Sequence, residues 1–115
     1  MRLRIVGQGL LSEAIARHAA DRVRLALGTA STRIDEVALR LTDVNGQRGG
    51  ADKRCRMVIS IRGSRPVVVE ATEADLYAAV DEAGGRAKEA VWRHLNRRRT
   101  LRREHAHRSR RRLPV

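Results

Sequence analysis

Basic side chains are the residues of this sequence with the clearest chemistry, because guanidinium and ammonium groups bind phosphate oxygens. The 115 residues include 25 Lys and Arg against 13 Asp and Glu, for a formal charge of +12 at pH 7. A protein this basic usually binds nucleic acid or an anionic membrane surface. Its basic residues are spread over several segments, which favours structured RNA recognised by its shape and backbone. The residues predicted to bind RNA are Arg22, Arg24, Lys53, Arg54, Arg56, Arg86, Lys88, Arg93 and Arg97.

The sequence offers no arrangement of residues typical of an enzyme. His18 and His94 fall on predicted helices without a Ser, Cys or carboxylate in a nucleophile pattern. The two histidines in residues 105–107 lack partners at zinc-ligand spacing. Residues 7–12 half match the G-x-G-x-x-G dinucleotide fingerprint, but Ser12 replaces the third glycine and hairpins follow. We therefore predict a binding protein without a metal site, a cofactor or a small-molecule substrate.

The positive charge is concentrated towards the C-terminus. Residues 97–115 hold nine Arg and one Glu, whereas residues 1–96 hold 16 basic and 12 acidic residues. Closely spaced arginines repel one another, and this segment has few apolar residues to bury. We therefore predict one folded domain at residues 1–99 and a disordered basic tail at residues 100–115.

No run of the sequence approaches the roughly 18 apolar residues that a membrane span needs. Residues 1–4 lead directly into a predicted strand and do not form a signal peptide. The single cysteine, Cys55, cannot form an internal disulfide, which agrees with a reducing compartment. We expect a cytoplasmic protein without a membrane partner, and binding of the tail to an anionic membrane is an alternative.

The spacing of apolar residues predicts the elements that must position the basic residues. Alternation of apolar and polar residues predicts four strands, at residues 2–6, 34–44, 53–62 and 67–71. An apolar residue at every third or fourth position predicts two helices, at residues 11–27 and from residue 76 onward. The fold class is therefore α+β, in the order β-α-β-β-β-α, with a four-stranded sheet and both helices on one face. The first two strands are expected to be parallel and the remaining pairs to be antiparallel hairpins.

Local signals are expected to shape the second helix. Thr72 and Asp75 have the spacing of a capping box at its start. Gly84 and Gly85 fall inside the helix and cost about 1 kcal/mol each relative to Ala, which predicts a kink or weak point. Trp92 lies one position from the apolar stripe, so packing in the fold and stacking on a base are both open.

The strand pattern also separates two faces of the sheet. Cys55 points inward and is interpreted as a small buried hydrophobe rather than a reactive thiol. The opposite face is either an ordinary solvated surface or an RNA-binding one. The side chains that the pleat places on that outer face are Arg2, Arg4, Arg40, Arg54, Arg56 and Arg62.

Residues 69–83 form a distinctive junction, in which a valine-rich strand runs through Glu-Ala-Thr into the helix start Asp-Leu-Tyr-Ala-Ala-Val-Asp-Glu-Ala. This junction, the hairpin segments at residues 41–46 and 52–56, and the order of elements carry a likeness over about residues 2–99. The sequence resembles the short form of the ribosome hibernation promoting factor and ribosome-associated inhibitor A family, also called sigma-54 modulation proteins.

The resemblance implies a fold similar to the double-stranded RNA-binding domain with an extra first strand. It also implies binding to the small ribosomal subunit and its ribosomal RNA, at the messenger RNA and transfer RNA sites, so that translation stops under stress or in stationary phase. By position, Arg86 and Arg93 match basic residues of the family's last helix, whereas Glu89 replaces a basic residue. The second domain of long family members, which pairs ribosomes, is not expected here, and a separate ribosome modulation factor is a candidate partner.

A different function also fits the basic composition. The chain could be a general double-stranded RNA or nucleic-acid binding module without ribosome specificity. In both interpretations the protein acts through binding and not through catalysis.

Overall fold

The computed structural model describes residues 1–44 and 52–112, with side chains except at residues 100, 102 and 105–112. The predicted turn at residues 45–50 lies outside the described residues. The elements are β1 (Arg2–Val6), α1 (Glu13–Leu27), a 3-10 helix η1 (Gly28–Arg33), β2 (Ile34–Asp43), β3 (Lys53–Ile61), β4 (Val67–Glu73) and α2 (Leu76–Arg112). The predicted order and the α+β fold class are confirmed.

The four strands form one sheet in the order β1-β2-β3-β4. β1 runs parallel to β2, with Leu3 opposite Val37, because a helix must carry the chain back before a parallel partner can pair. β2 and β4 both pair with β3 in antiparallel fashion. The predicted pairings are therefore confirmed, and β1 and β4 are the edge strands.

The hydrophobic core lies between the sheet and the two helices. Leu39, Met57 and Ile59 on the inner sheet face are almost fully buried. The chain has no Phe, and the helices instead present Ala and Val to the sheet, so their backbones can pack closely. The buried helical residues are Ile15, Ala19, Val23, Ala26 and Leu27 of α1 and Ala79, Val80, Ala83, Ala87 and Val91 of α2.

Helix α1 begins two residues later than predicted. Ser12 is its N-cap, and the Ser12 hydroxyl accepts a hydrogen bond from the backbone N–H of Ile15 at 3.2 Å. Leu11 therefore precedes the helix and is 42% exposed, although the predicted apolar stripe included it. At the other end the chain does not turn away at Gly28 but continues as η1 to the start of β2.

The predicted capping box of α2 is wrong. β4 continues to Glu73, and Thr72 lies in it opposite Arg54 of β3. Asp75 starts the helix alone: its carboxylate accepts a hydrogen bond from the N–H of Ala78 at 3.4 Å, and its carbonyl accepts one from the N–H of Ala79 at 3.0 Å. Pairing with β3 overrides the local signal at Thr72.

Helix α2 is continuous through Gly84 and Gly85, where a kink or weak point was predicted. Gly84 is in close contact with α1. A Cβ atom there would lie 2.9 Å from Cγ of Arg22 and 3.0 Å from its Cζ. The glycine therefore leaves room for the Arg22 side chain to cross α2.

Helix α2 also continues to Arg112, through residues that were predicted to form a disordered tail from residue 100. Arg, Leu, Glu and Ala favour helix, and this propensity continues the helix where repulsion between the arginines predicted disorder. The division into a domain at residues 1–99 and a separate tail stays a prediction. Among the described residues, no helix carries an apolar stretch sufficient to cross a membrane, long as α2 is.

Candidate nucleic-acid interface

Three of the predicted RNA-binding residues lie on one flank of α2. The intervals of seven and four residues between Arg86, Arg93 and Arg97 place them on the same side of the helix, over about 16 Å of its axis. Nη1 of Arg86 donates to the carbonyl of Glu70 in β4, so this flank faces the β4 edge of the sheet. We call these three residues the α2 flank.

Two of the three arginines of the α2 flank carry charge that no described carboxylate neutralises. Nε of Arg86 lies 3.3 Å from Oε1 of Glu82. Arg93 and Arg97 are exposed, and neither has an ion pair with any described residue. Two unpaired guanidinium groups one helical turn apart can each bind a phosphate of an RNA backbone.

Arg22, Arg24 and Lys88 lie elsewhere on the helical layer. Lys88 is two residues from Arg86, which is about 200° around the helix. Arg24 forms an ion pair with Asp21 of its own helix at 3.3 Å. Arg22 donates from Nη2 to the Asp81 carbonyl at 3.1 Å, and its side chain is only 22% exposed. Arg22 therefore connects the two helices, and a role in RNA binding stays a prediction.

Arg54 and Arg56 lie on the outer face of the sheet, as the pleat predicted. Nη1 of Arg56 lies 3.3 Å from Oε1 of Glu70, and Nε of Arg54 lies 3.7 Å from Oε2 of the same carboxylate. Arg40 is paired in register with Arg56 and is exposed. The outer face therefore holds a basic row that Glu70 partly neutralises.

Lys53 lies at the opposite end of β3 from the β3–β4 turn and has two carboxylate partners. Its Nζ lies 2.9 Å from Oδ2 of Asp43 and 3.2 Å from Oδ2 of Asp52. The hydrogen bonds to Asp43 and then Asp52 raise the pKa of Lys53 above its ordinary value. Asp52 is the one charged side chain that is buried among the described residues. Lys53 therefore compensates the negative charge of a carboxylate inside the fold.

His18 and His94 each connect two elements of the fold. Nε2 of His18 lies 2.8 Å from Oδ1 of Asp81, which links α1 to α2. Nε2 of His94 lies 2.6 Å from Oγ of Ser64, in the turn after β3. No described carboxylate pairs with His94, so this Ser–His pair lacks the third group of a catalytic triad.

The predicted residues thus lie at four separate places, and the sequence missed a further basic cluster. Beside residues 95–103 of α2 lies a groove of about 340 Å³. Its arginines come from η1, from α2 and from the position after β3, so only tertiary packing brings them together. The four-residue spacing of Leu95, Arg99 and Arg103 is the signal that could have found it. The groove is lined by Thr32, Arg33, Ile61, Arg62, Leu95, Arg98, Arg99 and Arg103.

Comparison with known proteins gives the family. The family model described as sigma 54 modulation protein / S30EA ribosomal protein matches residues 4–99. The chain belongs to this family. The resemblance seen in the sequence is therefore confirmed, and the family is one of ribosome-associated factors rather than of enzymes. No curated protein sequence matches the chain.

Two solved structures share the fold. A ribosomal subunit interface protein from Coxiella burnetii has a TM-score of 0.72 and 16% identity, and the match covers 84% of this chain and 99% of that chain. The N-terminal domain of Protein Y from Thermus thermophilus has a TM-score of 0.63 and 24% identity, covering 82% and 99% of the two chains. At these identities the likeness shows the fold of the sigma 54 modulation protein / S30EA family and not its contacts.

Proposed function

We propose that this protein binds the small ribosomal subunit at the messenger RNA and transfer RNA sites and silences translation under stress or in stationary phase. Family membership supports the association with ribosomes. The observation that carries the proposal is the α2 flank, where Arg93 and Arg97 are exposed without a carboxylate partner among the described residues.

The mechanism is steric exclusion. Arginine side chains contact the phosphates of folded ribosomal RNA, and the protein occupies space that messenger and transfer RNA need. Phosphate contacts position a protein on RNA without reading its sequence. Such a protein needs no reactive group, because its effect on translation depends only on how long it stays bound to the ribosome. It acts in the cytoplasm. A separate ribosome modulation factor is a further candidate partner.

Co-sedimentation with purified small subunits tests the proposal. We expect the protein to pellet with the subunits at low salt and to be released as salt rises, because phosphate contacts release counterions. It should also inhibit a cell-free translation reaction at the concentrations at which it pellets. A protein that stays in the ribosome-free fraction at low salt contradicts the proposal.

A matched pair of variants locates the site. The double variant Arg93→Glu and Arg97→Glu should bind small subunits at least about tenfold more weakly, since each lost charge-assisted hydrogen bond is worth about 1.5–3 kcal/mol. The control Arg2→Glu and Arg17→Glu has the same net charge, with both changes at exposed positions on β1 and α1, and β1 is the edge of the sheet opposite β4. Equal losses in the two variants would indicate an effect of net charge alone and remove the α2 flank from the site.

The second candidate is a general double-stranded RNA or nucleic-acid binding module. The basic row of Arg40, Arg54 and Arg56 on the outer face of the sheet favours it, because guanidinium groups bind the phosphates of any RNA duplex. Equal affinity for naked duplex RNA and for small subunits, without inhibition of cell-free translation, would support this candidate over the first.

A further inference from the structure

The groove beside residues 95–103 of α2 brings five arginines together. Arg33 comes from η1, Arg62 follows β3, and Arg98, Arg99 and Arg103 come from α2. The apolar side chains of Ile61 and Leu95 also line it. Its walls thus come from three elements that are distant in sequence, and the groove exists only in the folded protein.

The charge of the groove is largely unopposed. Nε of Arg62 lies 3.7 Å from Oδ1 of Asp35, and Nη1 of Arg98 donates to the carbonyl of Arg62 at 3.4 Å. Arg33, Arg99 and Arg103 have no ion pair with any described residue. Like charges held this close repel one another, so an anion with several negative charges stabilises the arrangement.

A second hollow adjoins the groove and adds an aromatic surface. Its volume is about 250 Å³, and it shares Thr32, Arg33, Leu95 and Arg99 with the groove. Trp92, the single tryptophan of the chain, also lines it and is 46% exposed. An exposed indole beside a guanidinium cluster offers a stacking face next to a phosphate site.

We propose that the groove and the adjoining hollow form a nucleotide-binding site. The base stacks on Trp92, and the phosphates lie among Arg33, Arg99 and the other arginines. Guanidinium groups suit this role because they bind phosphate oxygens in a bidentate fashion. No residue of the α2 flank lines either cavity, so the site is separate from that flank and does not depend on the proposed function.

Fluorescence of Trp92 provides the test, because it is the single tryptophan of the chain and lies in the proposed site. The full-length protein is titrated with ATP, inorganic triphosphate and adenosine. We expect saturable quenching by ATP, weaker binding of triphosphate, and no measurable binding of adenosine. Absence of saturable binding of ATP up to several millimolar, together with none for the RNA probe described below, overturns the proposal. So does binding of triphosphate as tight as that of ATP, since the base would then contribute nothing.

Variants connect the signal to the groove. The double variant Arg33→Gln and Arg99→Gln should bind ATP at least about tenfold more weakly, because it loses two charge-assisted contacts. The control Arg17→Gln and Arg65→Gln makes the same change of charge outside both cavities. Trp92→Phe, followed by calorimetry, should weaken ATP binding less than the arginine pair does. All the changed side chains are exposed, and thermal unfolding verifies each fold. Equal ATP binding by the arginine variant and its control overturns the proposal.

A further arm of the titration identifies the source of the nucleotide. A single-stranded pentamer of adenylate offers the same base and phosphates as part of an RNA chain. Tighter binding of the pentamer than of ATP, lost in the Arg33→Gln and Arg99→Gln variant, assigns the site to an unpaired nucleotide of RNA. Tighter binding of ATP assigns it to a free nucleotide. Ribosome binding enters neither arm, so failure here leaves the proposed function intact.

Discussion

At the residue scale, the contact of Gly84 with Arg22 shows how one missing side chain positions two helices. The Arg22 side chain crosses α2 at Gly84 and donates to the carbonyl of Asp81. Nε2 of His18 approaches the Asp81 carboxylate from the same helix as Arg22. Asp81 is thus bound from α1 by two side chains, and Gly84 provides the space that one of them needs.

Alanine at the two neighbouring glycines should have opposite effects. Gly85→Ala should stabilise the protein by about 1 kcal/mol through helix propensity, because the new Cβ would lie 3.6 Å from Nη2 of Arg22, an ordinary contact. Gly84→Ala should instead destabilise the protein, because its new Cβ would lie 2.9 Å from Cγ of Arg22 and this close contact outweighs the gain in helix propensity. Urea unfolding of both variants measures the difference, and equal stability would contradict the contact.

Cys55 should be inert in the folded protein. Burial raises the pKa of its thiol to about 12, so almost no thiolate forms at pH 8. We expect no reaction with a thiol reagent until urea unfolds the chain. Rapid labelling of the folded protein would contradict its burial.

The same shift predicts how stability depends on pH. The pKa of Cys55 is raised in the folded state, so its contribution to stability is complete below its ordinary pKa of 9.0. That contribution is lost as pH rises from there towards the folded value of about 12. The free energy of unfolding should therefore fall less steeply above pH 9 in Cys55→Ala than in the original protein. Parallel pH profiles of the two proteins would exclude this contribution.

At the element scale, α2 depends on a single cap at its start. The carboxylate of Asp75 accepts a hydrogen bond from the N–H of Ala78, which is otherwise unpaired in the first turn of a helix. Asp75→Ala should reduce the free energy of unfolding by about 1 kcal/mol, and Asp75→Asn should retain most of the stability. Chemical denaturation compares the two, and an equal loss in both would show that the cap is not the cause.

Elements with a clear period could be predicted from the sequence, and long-range contacts could not. Alternation placed β1 at its observed bounds and put Cys55 and Met57 on the buried face. Thr72 was misassigned because its place in β4 depends on pairing with β3. The sequence predicts a weak point at Gly84, because nothing in the local sequence shows that the Arg22 side chain crosses the helix there.

The candidate site was predictable in composition but not in arrangement. Net charge drew attention to the arginines, yet it could not show that Lys53 compensates the buried Asp52. It also gave no sign that Arg33 and Arg99 face one groove. Such groupings follow from tertiary packing, which brings η1 beside α2.

At the scale of the whole molecule, the basic surfaces point in different directions. The α2 flank faces the β4 edge, whereas Arg40 and Arg56 project from the outer face of the sheet. Only the surface that contacts ribosomal RNA should therefore contribute to the salt dependence of binding to small subunits.

Neutral variants separate these contributions. Arg93→Gln with Arg97→Gln should lower the slope of log affinity against log salt by about two for small subunits, at roughly 0.9 per phosphate contact. Arg40→Gln with Arg56→Gln should leave the slope nearly unchanged. A larger reduction of the slope in the Arg40→Gln and Arg56→Gln variant would indicate that the outer face of the sheet binds the small subunit.

The hydrogen bond from Arg86 to the Glu70 carbonyl has a consequence for self-association. β4 is an edge strand, and open edges invite strands of other molecules to add to a sheet and begin aggregation. The guanidinium of Arg86 occupies a main-chain acceptor of that edge and places a positive charge over it. Arg86→Ala should therefore leave this acceptor open and increase self-association through β4, which analytical ultracentrifugation would measure.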